Sequence, residues 1–222
     1  MNGVLAIDKP KDMTSFDVVR KISKTLGIKA GHTGTLDPMA TGVLVVCLGS
    51  YTKLVPYLMA SQKTYQATIQ FGISTDSKDI TGTIIDHTNI KAFDQQNALQ
   101  ACKNMIKKHI QEVPKVSAVR VNGQRLYATK DVVVLPKREV DVVDCRLMSF
   151  DEQTLTYEAT VSKGTYIRVL SETIASACNG NIGTTIALRR VKNGLIDHIM
   201  TQSLNDAIAD PHWLDLRMLL SE

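Results

Sequence analysis

The sequence predicts a single α+β domain built on a mixed, mostly antiparallel sheet flanked by helices. Three observations carry this expectation. Two long stretches, Lys63–Phe71 and 154–161, alternate apolar and polar residues with the two-residue period of a half-buried strand. Only a few segments show helical spacing, and the strand-like segments outnumber them and occur in runs rather than alternating with them.

In chain order, Gly3–Ile7 is a short apolar strand that ends at Lys9-Pro10. Thr14 and Asp17 form a capping-box pattern; Val18, Val19, Ile22 and Leu26 keep helical spacing, and Gly27 closes the helix. Val43–Leu48 is an unbroken apolar run of strand length. In Lys63–Phe71 the residues Tyr65, Ala67, Ile69 and Phe71 share one face, which puts Tyr65 on the core side of a strand end. Residues 74–82 (STDSKDITG) read as a polar loop. Gln95–Ile110 reads as a helix with Leu99, Cys102, Ile106 and Ile110 along one stripe. Asn122-Gly123 is the preferred pair for a tight hairpin turn. Leu155, Tyr157, Ala159 and Val161 line one face of the next strand, which stops at Lys163-Gly164. A helix over Tyr166–Ala177, a strand over Thr184–Val191 and a short helix in SLNDAIAD complete the set.

Composition narrows the class. A chain of 222 residues can bury a substantial core, and no run approaches the roughly 18 apolar residues of a membrane span. An acid at Asp8 interrupts the N-terminal apolar stretch, so a secretory leader is not expected and a cytoplasmic location is. Cys47, Cys102, Cys145 and Cys178 lie far apart in apolar surroundings, as reduced buried thiols would, and the five histidines are scattered. No metal site is expected. Net charge is +4, but from Lys103 to Arg138 nine basic residues face two acids, so this segment carries +7 and the rest −3. Such segregation suits a polyanionic partner, and a solvated basic face explains it as well.

The stretch GHTGTLDPMATGVL (31–44) holds one carboxylate, Asp37, in a constrained setting. Pro38 biases Asp37 away from helical dihedrals, while Gly31, Gly34 and Gly42 allow close backbone approach by whatever lies there. An Asp-Pro turn joining helix to strand accounts for the same residues. Tyr65 read alone is a core residue, and Arg168 read alone is a surface residue at a helix start.

GHTGTLDPMATGVLVVCLG followed by Thr52-Lys53 closely resembles the signature of the bacterial tRNA pseudouridine synthases of the TruB family, which isomerise the T-loop uridine to the Ψ of TΨC. GVLAIDKPKDMTS, KTYQATIQFG, VPKVSAVRVNGQRLY, SKGTYIR and LRR match in the family's order, so the resemblance runs from about Gly3 to Arg190. It implies a pseudouridine synthase fold, with residues 1–222 as one catalytic domain. It further implies that Asp37 is the catalytic acid, Tyr65 the aromatic packed against the target uracil, and Arg168 the partner of the Asp37 carboxylate. The glycines and acid around His32 predict an exposed imidazole, and the resemblance implies that it lies against the RNA where the uridine is extruded. Tyr166 and Leu188 are candidates to wall the uracil pocket and otherwise read as core. Lys9, Lys63 and the 115–138 region are the candidate phosphate contacts. The implied partner is the T arm of tRNA, without metal, cofactor or membrane, and nothing demands more than a monomer.

Two departures stand out. Many family members carry a C-terminal RNA-binding PUA domain, whereas only about thirty residues follow Arg190, so that module is expected to be absent or truncated. After Arg125-Leu126-Tyr127 the family's Ala-Arg-x-Gly element gives way to ATKDVVVLP. A non-catalytic tRNA-binding protein is a competing class, which the joint presence of Asp37, Tyr65 and Arg168 argues against. A metal-assisted hydrolase using His32 and Asp37 lacks further ligands at suitable spacing.

Overall fold

The computed structural model describes residues 2–114, 117, 120–121, 124–125, 135–215 and 217. The chain begins with β1 (Gly3–Lys9), α1 (Ser15–Leu26), β2 (Ala30–His32), β3 (Thr41–Leu48), a 3-10 segment at Gly49–Leu54 and α2 (Val55–Leu58). Then come β4 (Lys63–Phe71), β5 (Ile73–Thr75), β6 (Ile84–His87), α3 (Gln95–Lys103), β7 (Lys108–Glu112), β8 (Arg120–Val121) and β9 (Gln124–Arg125). The remainder is β10 (Lys137–Phe150), β11 (Thr154–Val161), α4 (Ile167–Ala177), β12 (Gly183–Asn193), β13 (Ile196–Asp197), β14 (Gln202–Ser203) and α5 (Leu204–Ala209). This is a mixed, mostly antiparallel α+β architecture. Two compact units divide it: Met1–Tyr65 with Leu188–Glu222, and Gln66–Ala187.

In the first unit the strands run in the order β14-β1-β3-β12. β1 and β3 are antiparallel from Gly3↔Leu48 to Lys9↔Gly42, and β12 joins β3 in parallel at Arg189↔Thr41 and Arg190↔Gly42. Val4–Ile7 and Val43–Leu48 are buried on both faces, which is why their sequences are unbroken apolar runs rather than alternating ones. Val4, Ala6, Val43, Val45 and Cys47 pack with Leu58 and Ile196 on one side. α1 packs against β2, β3 and α5 through a face that buries Val18, Val19 and Ile22. Its start is the expected capping box: the Thr14 hydroxyl accepts from the Asp17 N–H at 3.0 Å and the Asp17 carboxylate accepts from the Thr14 N–H. Its end is Gly27 at φ +64°.

In the second unit β12, β4, β11, β10 and β7 follow one another. β4 and β11 show the alternating burial their sequences predict. α3 packs against β10 and α4, and the Tyr157 hydroxyl is held by the Ser171 Oγ at 2.9 Å beneath α4.

Three expectations change. The helix predicted over Gln95–Ile110 ends at Lys103, and Lys108–Glu112 instead pairs with β10 from Asp141↔Lys108 to Lys137↔Glu112. Ladder hydrogen bonds to β10 override the helical spacing, and Ile106 and Ile110 are left exposed. The loop over 74–82 is not a solvated connection, because Thr75, Ser77 and Asp79 are buried. β10, fourteen residues long, is not apparent in sequence; register shifts at Val142/Asp144 and Leu147/Ser149 break its two-residue period. The predicted Asn122-Gly123 turn lies outside the described residues, although Arg120↔Arg125 and Val121↔Gln124 pair on either side of it. Most of the 115–138 region is likewise outside them.

Gly42 is at φ +99°, and a Cβ there would sit 2.2 Å from the Arg190 carbonyl oxygen. Gly42→Ala therefore combines left-handed strain with a backbone clash, and the expected loss in urea unfolding is about 3 kcal/mol or more. A loss below about 1 kcal/mol would mean that β3 and β12 separate freely at this point.

Candidate active site

The pairings of the first unit place Lys9, Gly42 and Arg190 in one row across β1, β3 and β12. Residues paired across neighbouring strands project to the same side, so two long basic chains flank a glycine that has no side chain of its own. Both are buried, Lys9 to 0% and Arg190 to 1% exposure. Arg190 donates from Nε to the Val43 carbonyl at 2.7 Å and from Nη2 to the Gly34 carbonyl at 3.1 Å. One planar guanidinium thus ties together both ends of the segment carrying Asp37. Lys9 Nζ donates to the carbonyls of Pro10 (2.8 Å), Met13 (2.5 Å) and Pro38 (3.2 Å).

The rest of the segment is anchored residue by residue. The Thr33 N–H donates to the Val45 carbonyl at 3.0 Å, and its hydroxyl accepts from Asn193 Nδ2 at 3.0 Å. The Ser15 hydroxyl accepts from the Leu36 N–H at 2.8 Å and donates to the Leu36 carbonyl at 3.1 Å. The Pro38 carbonyl also accepts from the Asp12 N–H at 2.9 Å, and the Asp37 carbonyl from the Ala40 N–H at 3.0 Å. Half-buried Asp37 lies close enough to Lys9 to favour its ammonium, as does Asp12. Burial outweighs both, and with the Arg190 charge opposing protonation it brings Lys9 from 10.5 to about 8.

Tyr65 is 9% exposed at the start of β4, with its hydroxyl 3.3 Å from Arg190 Nη1 and its ring centroid 5.9 Å from the guanidinium carbon. His32 is half-buried, and its Nδ1 accepts from the Gly34 N–H at 3.3 Å, so Nε2 carries the proton of the neutral ring. Burial, helped by Arg190, lowers its pKa and keeps it neutral. Leu188 is buried and two residues from Arg190, hence on the same side of β12. Arg189 points to the opposite side, where it grips Asp8 with two hydrogen bonds of 3.0 and 2.9 Å.

In the second unit Arg168 and Asp79 form a buried ion pair, 2% and 3% exposed, with Nη1 to Oδ2 at 3.3 Å. Nη1 also donates to the Ser77 carbonyl at 2.5 Å. Asp79 is itself fixed, its Oδ1 accepting from the Ser77 hydroxyl (2.9 Å), the Thr81 N–H (2.9 Å) and the Thr81 hydroxyl (2.5 Å). Tyr166, half-buried, is clamped by Gln111, which accepts from the Tyr166 N–H at 2.9 Å and donates to its carbonyl at 3.3 Å. Arg138 stands over the Tyr166 ring at 5.6 Å.

The first unit therefore holds Lys9, His32, Asp37, Lys63, Tyr65 and Leu188, and the second holds Tyr166 and Arg168. Lys9 and Lys63 are corrections: both are buried, with ammonium groups engaged by backbone carbonyls (Met59 and Ser61 for Lys63), so they brace loops rather than reach a phosphate. His32 is half-buried, not exposed. Gly42 makes room for the Arg190 backbone rather than for a ligand. Sequence reasoning gave no role to Asp79, hidden in a segment that looked like a polar loop, or to Arg190, which entered only as the last residue of the LRR match.

Among the described residues, no cluster of His, Cys, Asp and Glu could hold a metal ion, and no helix is long and apolar enough to cross a membrane. Residues 20–167 match the family described as TruB family pseudouridylate synthase (N terminal domain). The chain is 39% identical to tRNA pseudouridine synthase B of Caldicellulosiruptor saccharolyticus over 99% of its own length and 77% of that protein's. To the enzyme of the same name from Psychrobacter arcticus it is 39% identical over 94% of its length, spanning only 58% of that relative. Among solved structures it resembles a chain of a Cbf5-Nop10-Gar1 complex, with a TM-score of 0.73 and 28% identity, covering 93% of this chain and 54% of that one. The chain belongs to the TruB family of pseudouridylate synthases.

Proposed function

We propose that this chain converts the T-loop uridine of tRNA to pseudouridine, with Asp37 as the catalytic carboxylate. The observation that carries the reading is the anchoring of the Asp37 segment at Thr33, Gly34, Leu36 and Pro38, by neighbours on β1, α1, β3 and β12. A segment so restrained holds its acid at a fixed place, which suits a reaction in which one carboxylate must meet one sugar carbon. In that reaction the N1–C1′ bond of uridine breaks, the uracil turns, C5 bonds to C1′, C5 gives up its proton and N1 gains one. Asp37 attacks or electrostatically stabilises the sugar as positive charge develops there. The base first leaves the stack of the T loop. Tyr65 then holds its face, Leu188 and Tyr166 wall the pocket, and neutral His32 offers an N–H donor at the RNA.

Arg168 is the partner that keeps the Asp37 carboxylate ionised, and Asp79 is the residue behind it. A guanidinium has five donors in a fixed fork, so the Asp79 and Ser77 contacts set the direction in which the remaining donors point. Residues 1–222 act as one catalytic domain, a cytoplasmic monomer that uses no metal or cofactor. Lys137 and Arg138 contribute to the basic surface that faces the T arm.

Three outcomes are expected. Wild type releases tritium from tRNA labelled at uracil C5 and Asp37→Asn does not; tRNA binding without release from either protein would overturn the enzymatic reading. Asp79→Asn removes a buried carboxylate that Arg168 meets at 3.3 Å, and the expected cost in thermal unfolding is about 3 kcal/mol, with kcat falling more than tRNA affinity. Equal losses in kcat and affinity would argue against a positioning role. Lys9 has a folded-state pKa below its ordinary value, so between pH 8 and 10.5 the unfolded chain binds more protons and the contribution of Lys9 to stability rises with pH. The stability of wild type relative to Lys9→Met should climb across that window, and a flat difference would show that Lys9 titrates normally.

A further inference from the structure

We propose that Arg190 is a positioning residue for Tyr65, fixing both the tilt of the ring and the direction of its hydroxyl proton; this rests on the reading of Tyr65 as the aromatic that holds the uracil. Two of the guanidinium's nitrogens are spent on backbone, Nε on Val43 and Nη2 on Gly34. Because the group is planar and rigid, those two anchors determine where the third nitrogen lies. That nitrogen, Nη1, is 3.3 Å from the Tyr65 oxygen, and the ring centroid is within 5.9 Å of the guanidinium carbon.

The polarity of this contact has one solution. Arginine has no acceptor and stays protonated, so the phenol oxygen accepts on the Arg190 side and its own hydrogen is turned away from it. The contact is buried, with Arg190 1% and Tyr65 9% exposed, and water does not compete for it. The fixed charge is also shared with the loop: the same cation faces Lys9 and His32 and opposes the protonation of both. A lysine at position 190 keeps a positive charge and cannot span Gly34, Val43 and Tyr65 in one plane.

A double-mutant cycle on single-turnover tritium release from C5-labelled tRNA tests this. Arg190→Lys should slow release at saturating tRNA by about tenfold or more while the Kd for tRNA stays within about twofold. In a Tyr65→Phe background, which lacks the oxygen, the same substitution should slow release by less than about twofold. Equal factors in both backgrounds would overturn the proposal and leave Arg190 a loop anchor alone. If the lysine variant melts below the assay temperature, Arg190→Gln enters the same cycle. A readout independent of turnover is the ¹⁹F spectrum of the protein carrying 3-fluorotyrosine: the Tyr65 resonance should move on Arg190→Lys while that of Tyr157 stays, and an unmoved Tyr65 resonance also overturns the proposal. Absence of release by wild type would sink the enzymatic reading itself, whereas release by wild type with multiplying effects sinks only the role given to Arg190.

Discussion

An arginine buried to 1% exposure must find protein acceptors for its N–H groups, since leaving a desolvated cation unpaired costs several kcal/mol. At Arg190 those acceptors are the carbonyls of Gly34 and Val43 and the phenol of Tyr65, and much of the first unit is arranged to supply them. Gly42 is the counterpart of that demand. Only a residue without Cβ lets β3 approach the Arg190 backbone this closely, and only a residue tolerant of φ +99° lets the backbone turn there. The segment holding Asp37 is thus less a flexible loop than a short bridge pinned at both ends.

A second buried charge, Arg168, is handled differently. Arg190 is neutralised mainly by backbone dipoles, whereas Arg168 meets a carboxylate that is itself saturated by Ser77 and Thr81. Buried ion pairs contribute little net stability against apolar replacements, so their value lies in direction. Asp79 with three donors on one oxygen has little freedom to rotate, and that stiffness passes to the arginine. Gln111 does for the Tyr166 backbone what Asp79 does for Arg168: a buried polar group from a distant stretch of chain fixes the entry to α4.

Much of this was legible in sequence, for identifiable reasons. β4, β11 and α1 announce themselves because one face is buried and the other is wet, so period and capping survive in the residues. β1 and β3 are legible as unbroken apolar runs because both faces are covered. The helix predicted past Lys103 failed because edge pairing to β10 is a long-range interaction that local spacing does not record. β10 itself was missed because its bulges shift the alternation twice. At the site, Asp37, Tyr65 and Arg168 stood out through motif resemblance. Asp79 did not, since a buried acid amid Ser and Thr looks like a solvated turn, and Arg190 entered only as the end of the LRR match, with no role attached. Lys9 and Lys63 were misjudged because sequence does not say whether an ammonium ends on water or on carbonyls.

The row formed by Lys9, Gly42 and Arg190 draws its members from the two extremes of the sequence, and 156 positions separate Gly34 from the arginine that holds it. Contacts of such separation carry a large loop-closure cost and form late. β1 and β3 can pair as soon as the first fifty residues are available, while the segment between them still lacks its clamp. On the ribosome, the carboxylate is made long before it is aimed, so a nascent chain carries an unfinished site until β12 arrives to lock it.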